Sequence, residues 1–171
     1  MNEIERKIID EYTAIHKDLE TWGKQVDTIL CEKLLAPLIA NSVVKINPKF
    51  RLKSPKSYLF KVLYRKQKYK NPLVEILDKV GTRVVLLKSD QIAKVADMIM
   101  QYDKWYTKLT KGMKDGIEDQ PRVFDYQSCH IVVWPKEDYK ANRASNEMLA
   151  CEIQIRTLLQ HAFAEVSHDS T

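Results

Sequence analysis

A group of basic and hydroxyl side chains near residue 50 has the types and spacing of a polyphosphate site. Arg51 and Lys53 alternate onto one face of an extended stretch. Ser54–Pro55 then predicts a helix start, where free backbone amides and the helix dipole favour an anion. Ser57 and Lys61 stand four residues apart and share one face of that helix. The alternative is a capped surface helix with unrelated lysines.

Two carboxylates stand beside predicted buried strands. Asp78 lies just before a run rich in valine and leucine at 82–87, and Glu152 lies in an alternating run at 148–156. Carboxylates together with substrate phosphates are ligands that Mg²⁺ prefers, so the pair predicts a metal site if the strands are neighbours. Arg83, the one charge within the apolar run, needs a partner: a stacked base, a phosphate or Asp78 itself.

A third set of side chains suits a nucleotide acceptor. Period-two alternation places Tyr126, Ser128 and His130 on one face of a predicted strand, which suits base stacking and hydrogen bonding. Gln154 and Arg156 share a face with Glu152 in the later strand. The alternatives are a half-buried strand with a satisfied histidine and a polar strand face in water.

The last predicted helix carries a histidine and carboxylate stripe. His161, Glu165 and His168 fall at i, i+4 and i+7, close to one helix face, a spacing that suits zinc ligands. The order HExxH is absent, and the same stripe could cap and orient the sheet. The second interpretation is favoured over a zinc site.

Hydrophobic periodicity predicts the elements that position these groups. An apolar stripe over 4–29 predicts an amphipathic helix, with Gly23 as a candidate break, and a helical face continues to 41. The remaining elements are an extended arm from 42, a helix from 55 to about 70, strands at 82–87, 104–111, 126–134 and 148–156, helices at 90–100 and 158–168 capped by Ser89 and Thr157, and a mobile loop at 112–125. We therefore expect an α/β (α+β) fold, a mixed sheet of about five strands flanked by helices.

Composition excludes several classes of protein. Hydrophobic residues make up 44% and charged residues 30%, and no apolar run approaches the roughly 20 residues of a membrane span. No secretory signal is visible, so we expect a cytoplasmic protein that does not bind membranes. The three cysteines are widely spaced, which predicts reduced thiols. The four glycines form no phosphate-binding loop motif, so any phosphates must be held by side chains and a helix end.

Positive charge is concentrated in one segment. Residues 45–70, the basic belt, hold ten of the 28 Lys and Arg residues and no Asp or Glu, although the formal net charge of the chain is only +5. Such a segment attracts phosphates of a nucleotide, an RNA or a lipid surface. A solvated helix face is the alternative, but it would lack the usual acidic pairing.

The order of these motifs resembles the synthetase domain of the RelA/SpoT family, the enzymes that make the alarmone (p)ppGpp. That family's pattern is R-x-K-S-P-x-S, D-x-x-G-x-R, P-K-x-x-G-Y-x-S-x-H, E-I-Q-I-R-T, then H-A-x-A-E and a final H. This chain has RLKSPKS, DKVGTR, PRVFDYQSCH, EIQIRT and HAFAEVSH in the same order. The resemblance covers about 51–169 and implies a nucleotidyltransferase-like fold. It implies one synthetase domain over 1–171, with N-terminal helices over 1–41 and a nucleotide-binding core over 42–171.

The resemblance also implies an activity: transfer of pyrophosphate from ATP to the 3′-hydroxyl of GDP or GTP, with release of AMP and with Mg²⁺ as cofactor. It implies these roles: Arg51 and Arg83 sandwich adenine; Lys53, Lys61 and Ser57 hold the ATP phosphates; Asp78 and Glu152 bind Mg²⁺; Glu152 helps to deprotonate the attacking hydroxyl; Tyr126 stacks on the acceptor guanine; Arg122, Ser128, His130 and Gln154 belong to the acceptor site.

The acceptor motif departs from the family pattern. Asp125 replaces the usual glycine, and Phe124 and Arg122 replace the common Asn and Lys. The extra negative charge is expected to weaken GDP or GTP binding or to alter the choice of acceptor. Relatives continue with further helices, so the resemblance implies a fragment, a minimal form or one domain of a longer protein, with a homo-oligomer, a regulatory C-terminal region or an antitoxin as possible partners.

Two other functions stay open at this level. Some toxin members of the family pyrophosphorylate the 3′ end of tRNA, and an RNA backbone would then be expected to dock on Arg65, Lys66, Lys68 and Lys70. The other function is that of a non-catalytic RNA-binding or regulatory module that keeps the fold.

Overall fold

A mixed sheet is the centre of the structure, a computed structural model that describes residues 1–112, 128–136 and 144–169. Its strands are Val44–Ile46 (β1), Arg51–Leu52 (β2), Val80–Leu86 (β3), Trp105–Lys111 (β4), Cys129–Pro135 (β5) and Cys151–Thr157 (β6). The order is β1-β3-β6-β5-β4, with β2 also paired to β3; β3 and β6 are parallel and the other pairs antiparallel. The predicted fold class is confirmed, and the extended arm from residue 42 forms two short strands.

Helices flank this sheet. They are Glu3–Thr28 (α1), Ala36–Ala40 (α2), Pro55–Tyr64 (α3), Pro72–Glu75 (α4), Asp90–Gln101 (α5) and Leu158–Asp169 (α6), with a π-helical segment at Ile29–Leu34 and a 3₁₀ turn at Asn146–Met148. Within the described parts of the chain, no helix is both long and apolar enough to cross a bilayer. All three cysteines are free, as predicted.

Helix α1 runs without a break, so the predicted interruption at Gly23 is wrong. A Cβ atom at this position would lie 2.8 Å from Cδ2 of the Phe50 ring and 2.9 Å from Cγ2 of Val80. Glycine therefore serves close packing of α1 against the sheet. The predicted apolar stripe forms the buried side of the helix, at Tyr12, Ile15, Leu19, Trp22 and Val26.

Helix α3 ends at Tyr64, six residues before the predicted end, so the predicted helix boundary is wrong. Arg65 already has an extended backbone, with φ −85° and ψ 158°. Arg65, Lys66, Lys68 and Lys70 would place like charges three and four residues apart, and such pairs destabilise a helix. Asn71 and Pro72 then begin the short helix α4 instead of ending α3.

The two faces of the β3–β6 pair differ in chemistry. Val80, Val84, Cys151, Ile153 and Ile155 are fully buried and belong to the hydrophobic core. On the opposite face Gly81 pairs with Glu152 and Arg83 with Gln154, and these four residues are partly exposed. The sheet thus presents a polar face above an apolar core, because its side chains alternate.

The caps predicted for α5 and α6 behave differently. Thr157 Oγ1 accepts a hydrogen bond from Gln160 N at 3.1 Å, and Gln160 Oε1 accepts one from Thr157 N at 2.8 Å, so the predicted cap of α6 is confirmed. Ser89 precedes α5 as predicted, but its side chain makes no capping hydrogen bond. Gln91 Oε1 accepts from Lys88 N there instead, at 3.1 Å.

Gly23→Ala is expected to lower the free energy of unfolding by about 1 kcal/mol. Overpacking a filled core typically costs about 1–3 kcal/mol, whereas the better helix propensity of alanine returns only about 1 kcal/mol. Urea denaturation measures the change, with Lys17→Ala at an exposed position of the same helix as the control. A Gly23→Ala protein as stable as the parent would contradict the close packing.

Candidate active site

A cavity of about 610 Å³ opens between β2, the start of α3 and the polar face of the β3–β6 pair. Its size is that of a small-molecule site. Among its lining residues are seven that the sequence predicted for nucleotide or metal binding: Arg51, Lys53, Ser57, Asp78, Arg83, Glu152 and Gln154. Both predicted metal ligands and three of the four predicted donor-site cations, Arg51, Lys53 and Arg83, thus share one cavity. The fourth, Lys61, is not among the described lining residues and is linked to the cavity by its ion pair with Asp78.

Asp78 lies between two lysines. Its Oδ1 is 2.7 Å from Lys61 Nζ and its Oδ2 is 3.1 Å from Lys53 Nζ. Burial raises the pKa of the Asp78 carboxyl, but the hydrogen bond from Lys61 and the charges of both lysines outweigh burial and hold this pKa below its ordinary value. Asp78 is therefore ionised at neutral pH, and it holds both ammonium groups together.

The start of α3 faces the same cavity. Ser54 Oγ accepts a hydrogen bond from Ser57 N at 3.1 Å, which confirms the predicted N-cap, and Pro55 opens the helix. The Ser57 hydroxyl lies 3.0 Å from Ser54 Oγ, and both serines line the cavity. A helix N-terminus with hydroxyls and lysines beside it favours an anion.

Gly81 leaves room for Glu152. A Cβ atom at Gly81 would lie 3.1 Å from the carbonyl oxygen of Glu152, which is tighter than an ordinary contact. In the sheet register Gly81 pairs with Arg51 on one side and with Glu152 on the other. The cationic and the acidic side chain therefore stand on either side of a residue that has no side chain of its own.

A row of polar groups extends from Glu152 across the sheet to β5. Gln154 Nε2 donates to Glu152 Oε1 at 2.7 Å, and His130 Nδ1 lies 3.9 Å from the same oxygen. His130 Nε2 is within hydrogen-bonding distance of Ser128 Oγ, at 2.5 Å. Burial lowers the pKa of His130 despite the nearby Glu152 charge, so the imidazole is neutral at pH 7.

The predicted acceptor site is described in part. Arg122 and Tyr126 lie outside the described residues, as do the departures Phe124 and Asp125. Ser128 and His130 do share one face, as the alternation predicted, and His130 pairs with Gln154.

Arg83 does not pair with Asp78, which was one of its predicted partners. Its Nη1 instead lies 3.4 Å from Oε1 of Glu165 on α6. Arg156 lies near Arg83 on the polar face of the sheet and is only 6% exposed, so this end of the polar face is shielded from water. Burial and the charge of Arg83 lower the pKa of the Arg156 guanidinium.

The structure does not support the zinc interpretation of α6. Within the described ranges, no three His, Cys, Asp or Glu side chains are arranged to hold a metal ion. His161 lines the cavity, Glu165 pairs with Arg83, and the side chain of His168 lies outside the described part. Asp78 and Glu152 supply only two carboxylates, a set that suits Mg²⁺ when phosphate and water oxygens complete its coordination.

Sequence reasoning missed two groups of residues at the site. Asn47 and Lys49 line the cavity from the loop between β1 and β2; the alternation of Lys49 with Arg51 and Lys53 was the signal that could have found Lys49. Lys79 is fully buried beside Asp78, its ammonium donates to the Ile76 carbonyl, and burial lowers its pKa to about 8. Nothing in the sequence pattern predicts a buried lysine there.

Solved structures share this fold. Small alarmone synthetase 1 from Bacillus subtilis bound to its product pppGpp superimposes with a TM-score of 0.68 at 18% identity, over 89% of this chain and 76% of that one. Small alarmone synthetase 2 from the same organism gives a TM-score of 0.62 at 20% identity, over 90% and 77% of the two chains. A GTP pyrophosphokinase family protein from Streptococcus pneumoniae gives 0.64 at 22% identity, over 99% and 77%.

Sequence comparison adds the family. No individually curated protein matches the chain. The model of the region found in RelA and SpoT proteins matches residues 50–171, which is most of the chain and contains all five motifs. The cavity, its paired lysines and its two carboxylates all lie within that region or border it. The chain is thus a member of the RelA/SpoT family.

Proposed function

We propose that this protein is a (p)ppGpp synthetase that transfers pyrophosphate from ATP to the 3′-hydroxyl of GDP or GTP. The observation that carries the proposal is the convergence of Arg51, Lys53, Asp78 and Glu152 on one cavity. Family membership supports the reaction class, and a structural neighbour bound to pppGpp supports guanosine nucleotides as partners.

ATP occupies the part of the cavity between β2 and α3. Arg51 and Arg83 stack on the two faces of adenine, and Lys53, Lys61 and Ser57 bind the phosphates. Both lysines are held by Asp78 in the absence of nucleotide. A polyphosphate offers them stronger charge-assisted hydrogen bonds, so its binding releases the carboxylate of Asp78.

The released Asp78 and Glu152 would together hold Mg²⁺, which neutralises charge on the phosphate oxygens when bound. The acceptor 3′-oxygen attacks the β-phosphorus, the bond from that phosphorus to the oxygen of AMP breaks, and the hydroxyl proton passes to Glu152. Gln154 donates to Glu152 Oε1 and orients the carboxylate toward this proton. Catalysis here is chiefly positioning and charge neutralisation.

The acceptor nucleotide binds toward β5. Tyr126 stacks on guanine, and Arg122, Ser128, His130 and Gln154 bind its ribose and phosphates. The neutral imidazole of His130 suits a hydrogen bond to a hydroxyl. Asp125 beside Tyr126 adds a negative charge that disfavours acceptor phosphates, so we expect weaker acceptor binding than in relatives with glycine there.

Glu152→Gln is expected to lower kcat for transfer of label from γ-labelled ATP to GDP or GTP by at least about 100-fold, because it removes a general base and a metal ligand. The matched control is Glu147→Gln, an exposed acid just before the same strand. Full activity of Glu152→Gln would refute the role of Glu152. A parent protein that labels neither nucleotide in the presence of Mg²⁺ would refute the proposed function.

One surface favours tRNA as a second candidate acceptor. The outer side of α3 exposes 52% of Phe60 and 62% of Tyr64, and the Arg65 guanidinium lies 5.7 Å from the centre of the Phe60 ring. Lys66 and Lys68 follow, both exposed. Exposed aromatic rings beside exposed cations suit single-stranded RNA, through base stacking and phosphate contacts. The same surface would serve a non-catalytic RNA-binding module.

If tRNA is the acceptor, label from γ-labelled ATP should appear on the tRNA 3′ end. The double variant Lys66→Glu/Lys68→Glu should then lower this transfer at least about tenfold, because two phosphate contacts are lost. The loss should diminish at high salt, where phosphate contacts are already screened. Transfer to GDP in the same variant is the control and stays unchanged. Label found on GDP or GTP alone, or equal tRNA labelling by variant and parent, would exclude tRNA as the acceptor.

A further inference from the structure

We propose that Tyr12 and Asp27 of helix α1 are positioning residues for the predicted ATP-binding side chains of Arg51 and Lys53. The inference rests on the proposed function. Both residues precede the region matched by the family model, which begins at residue 50. They also lie outside every motif that the sequence analysis identified.

Strand β2 needs external support. It is two residues long and pairs with β3 only through Arg51–Gly81 and Leu52–Val80. Arg51 of this strand is a predicted base-stacking residue, and Lys53, directly after the strand, is a predicted phosphate ligand; both line the cavity. Two paired positions are too few to fix the place of a strand, so other contacts must hold the backbone of residues 50–53 in place.

Asp27 fixes the beginning of this segment. Its Oδ2 accepts a hydrogen bond from the backbone N of Phe50 at 2.7 Å, the length of a charge-assisted bond. Phe50 directly precedes Arg51, and its ring packs on α1 where Gly23 has no side chain. The carboxylate therefore sets where the chain enters β2.

Tyr12 fixes the other end. Its hydroxyl donates to the carbonyl oxygen of Lys53 at 2.5 Å, and its ring is fully buried. The ring stacks on Tyr58 of α3 with centroids 4.2 Å apart, so the hydroxyl cannot shift without moving that helix. Lys53 N in turn donates to the carbonyl of Lys79, next to Asp78, at 2.8 Å.

The two hydrogen bonds therefore act on both ends of the backbone that carries Arg51 and Lys53. A small displacement of charged ligands from a polyphosphate weakens its binding, since the gain from preorganised groups depends on their placement. Among the described residues of the acceptor side, Ser128, His130 and Gln154 make no hydrogen bond to Tyr12 or Asp27. The loss of either bond should therefore weaken ATP binding selectively.

The test combines equilibrium binding of a non-hydrolysable ATP analogue, by calorimetry, with KM for ATP and for GDP. Tyr12→Phe removes only the hydroxyl and should raise Kd for the analogue and KM for ATP about 3- to 10-fold. Asp27→Ala should do the same, whereas Asp27→Asn keeps an acceptor oxygen and should restore most of the affinity. KM for GDP should change less than about twofold in all three.

Thr28→Val is the matched control, because the exposed Thr28 hydroxyl donates to the carbonyl of Lys24 in its own helix. A parent protein that does not bind the analogue overturns the proposed function and this inference with it. A parent that binds the analogue, with Tyr12→Phe and Asp27→Ala binding it equally tightly, overturns the inference alone. Equal losses for ATP and GDP that follow a lowered Tm show a merely structural role and also overturn it.

Discussion

The site depends on one ion cluster, in which the Asp78 carboxylate is bound by Lys53 and Lys61. Its three members come from the segment after β2, from α3 and from the turn before β3, so the cluster joins the elements that surround the cavity. Two cations facing one carboxylate leave the cluster with excess positive charge. Partly buried cations of this kind are expensive unless paired, and an anionic ligand completes the pairing. The free protein is in this sense already arranged for a polyphosphate.

The topology of the sheet explains how two distant carboxylates reach one cavity. Strands β3 and β6 are parallel. Asp78, shortly before β3, and Glu152, near the start of β6, therefore lie at the same end of the strand pair. Gly81, between Arg51 and Glu152, allows close approach and keeps the space open. A parallel pair requires a long crossover, and α5, β4 and β5 occupy it. Strand β5 also carries His130 of the proposed acceptor side.

Local pattern predicted the strands β3, β4 and β6 and the caps at Ser54 and Thr157, because alternation and capping depend on near neighbours in sequence. The motif order, through its resemblance to a family, predicted which residues meet in the cavity; spacing alone left their partners open. Sequence reasoning failed where distant contacts decide the outcome. Gly23 packs against Phe50, Arg83 pairs with a helix residue rather than Asp78, and Lys79 is buried, and none of these contacts has a local signal.

The most direct test of the ion cluster is a pH titration of the Asp78 carboxyl group, monitored by ¹³C NMR in the nucleotide-free protein. The two lysines predict a midpoint below the ordinary value of about 3.9 for aspartate, and Lys61→Met should raise this midpoint because a hydrogen bond and a positive charge are lost. A midpoint at or above the ordinary value in the parent, unchanged in Lys61→Met, would contradict the cluster on which the proposed site is built.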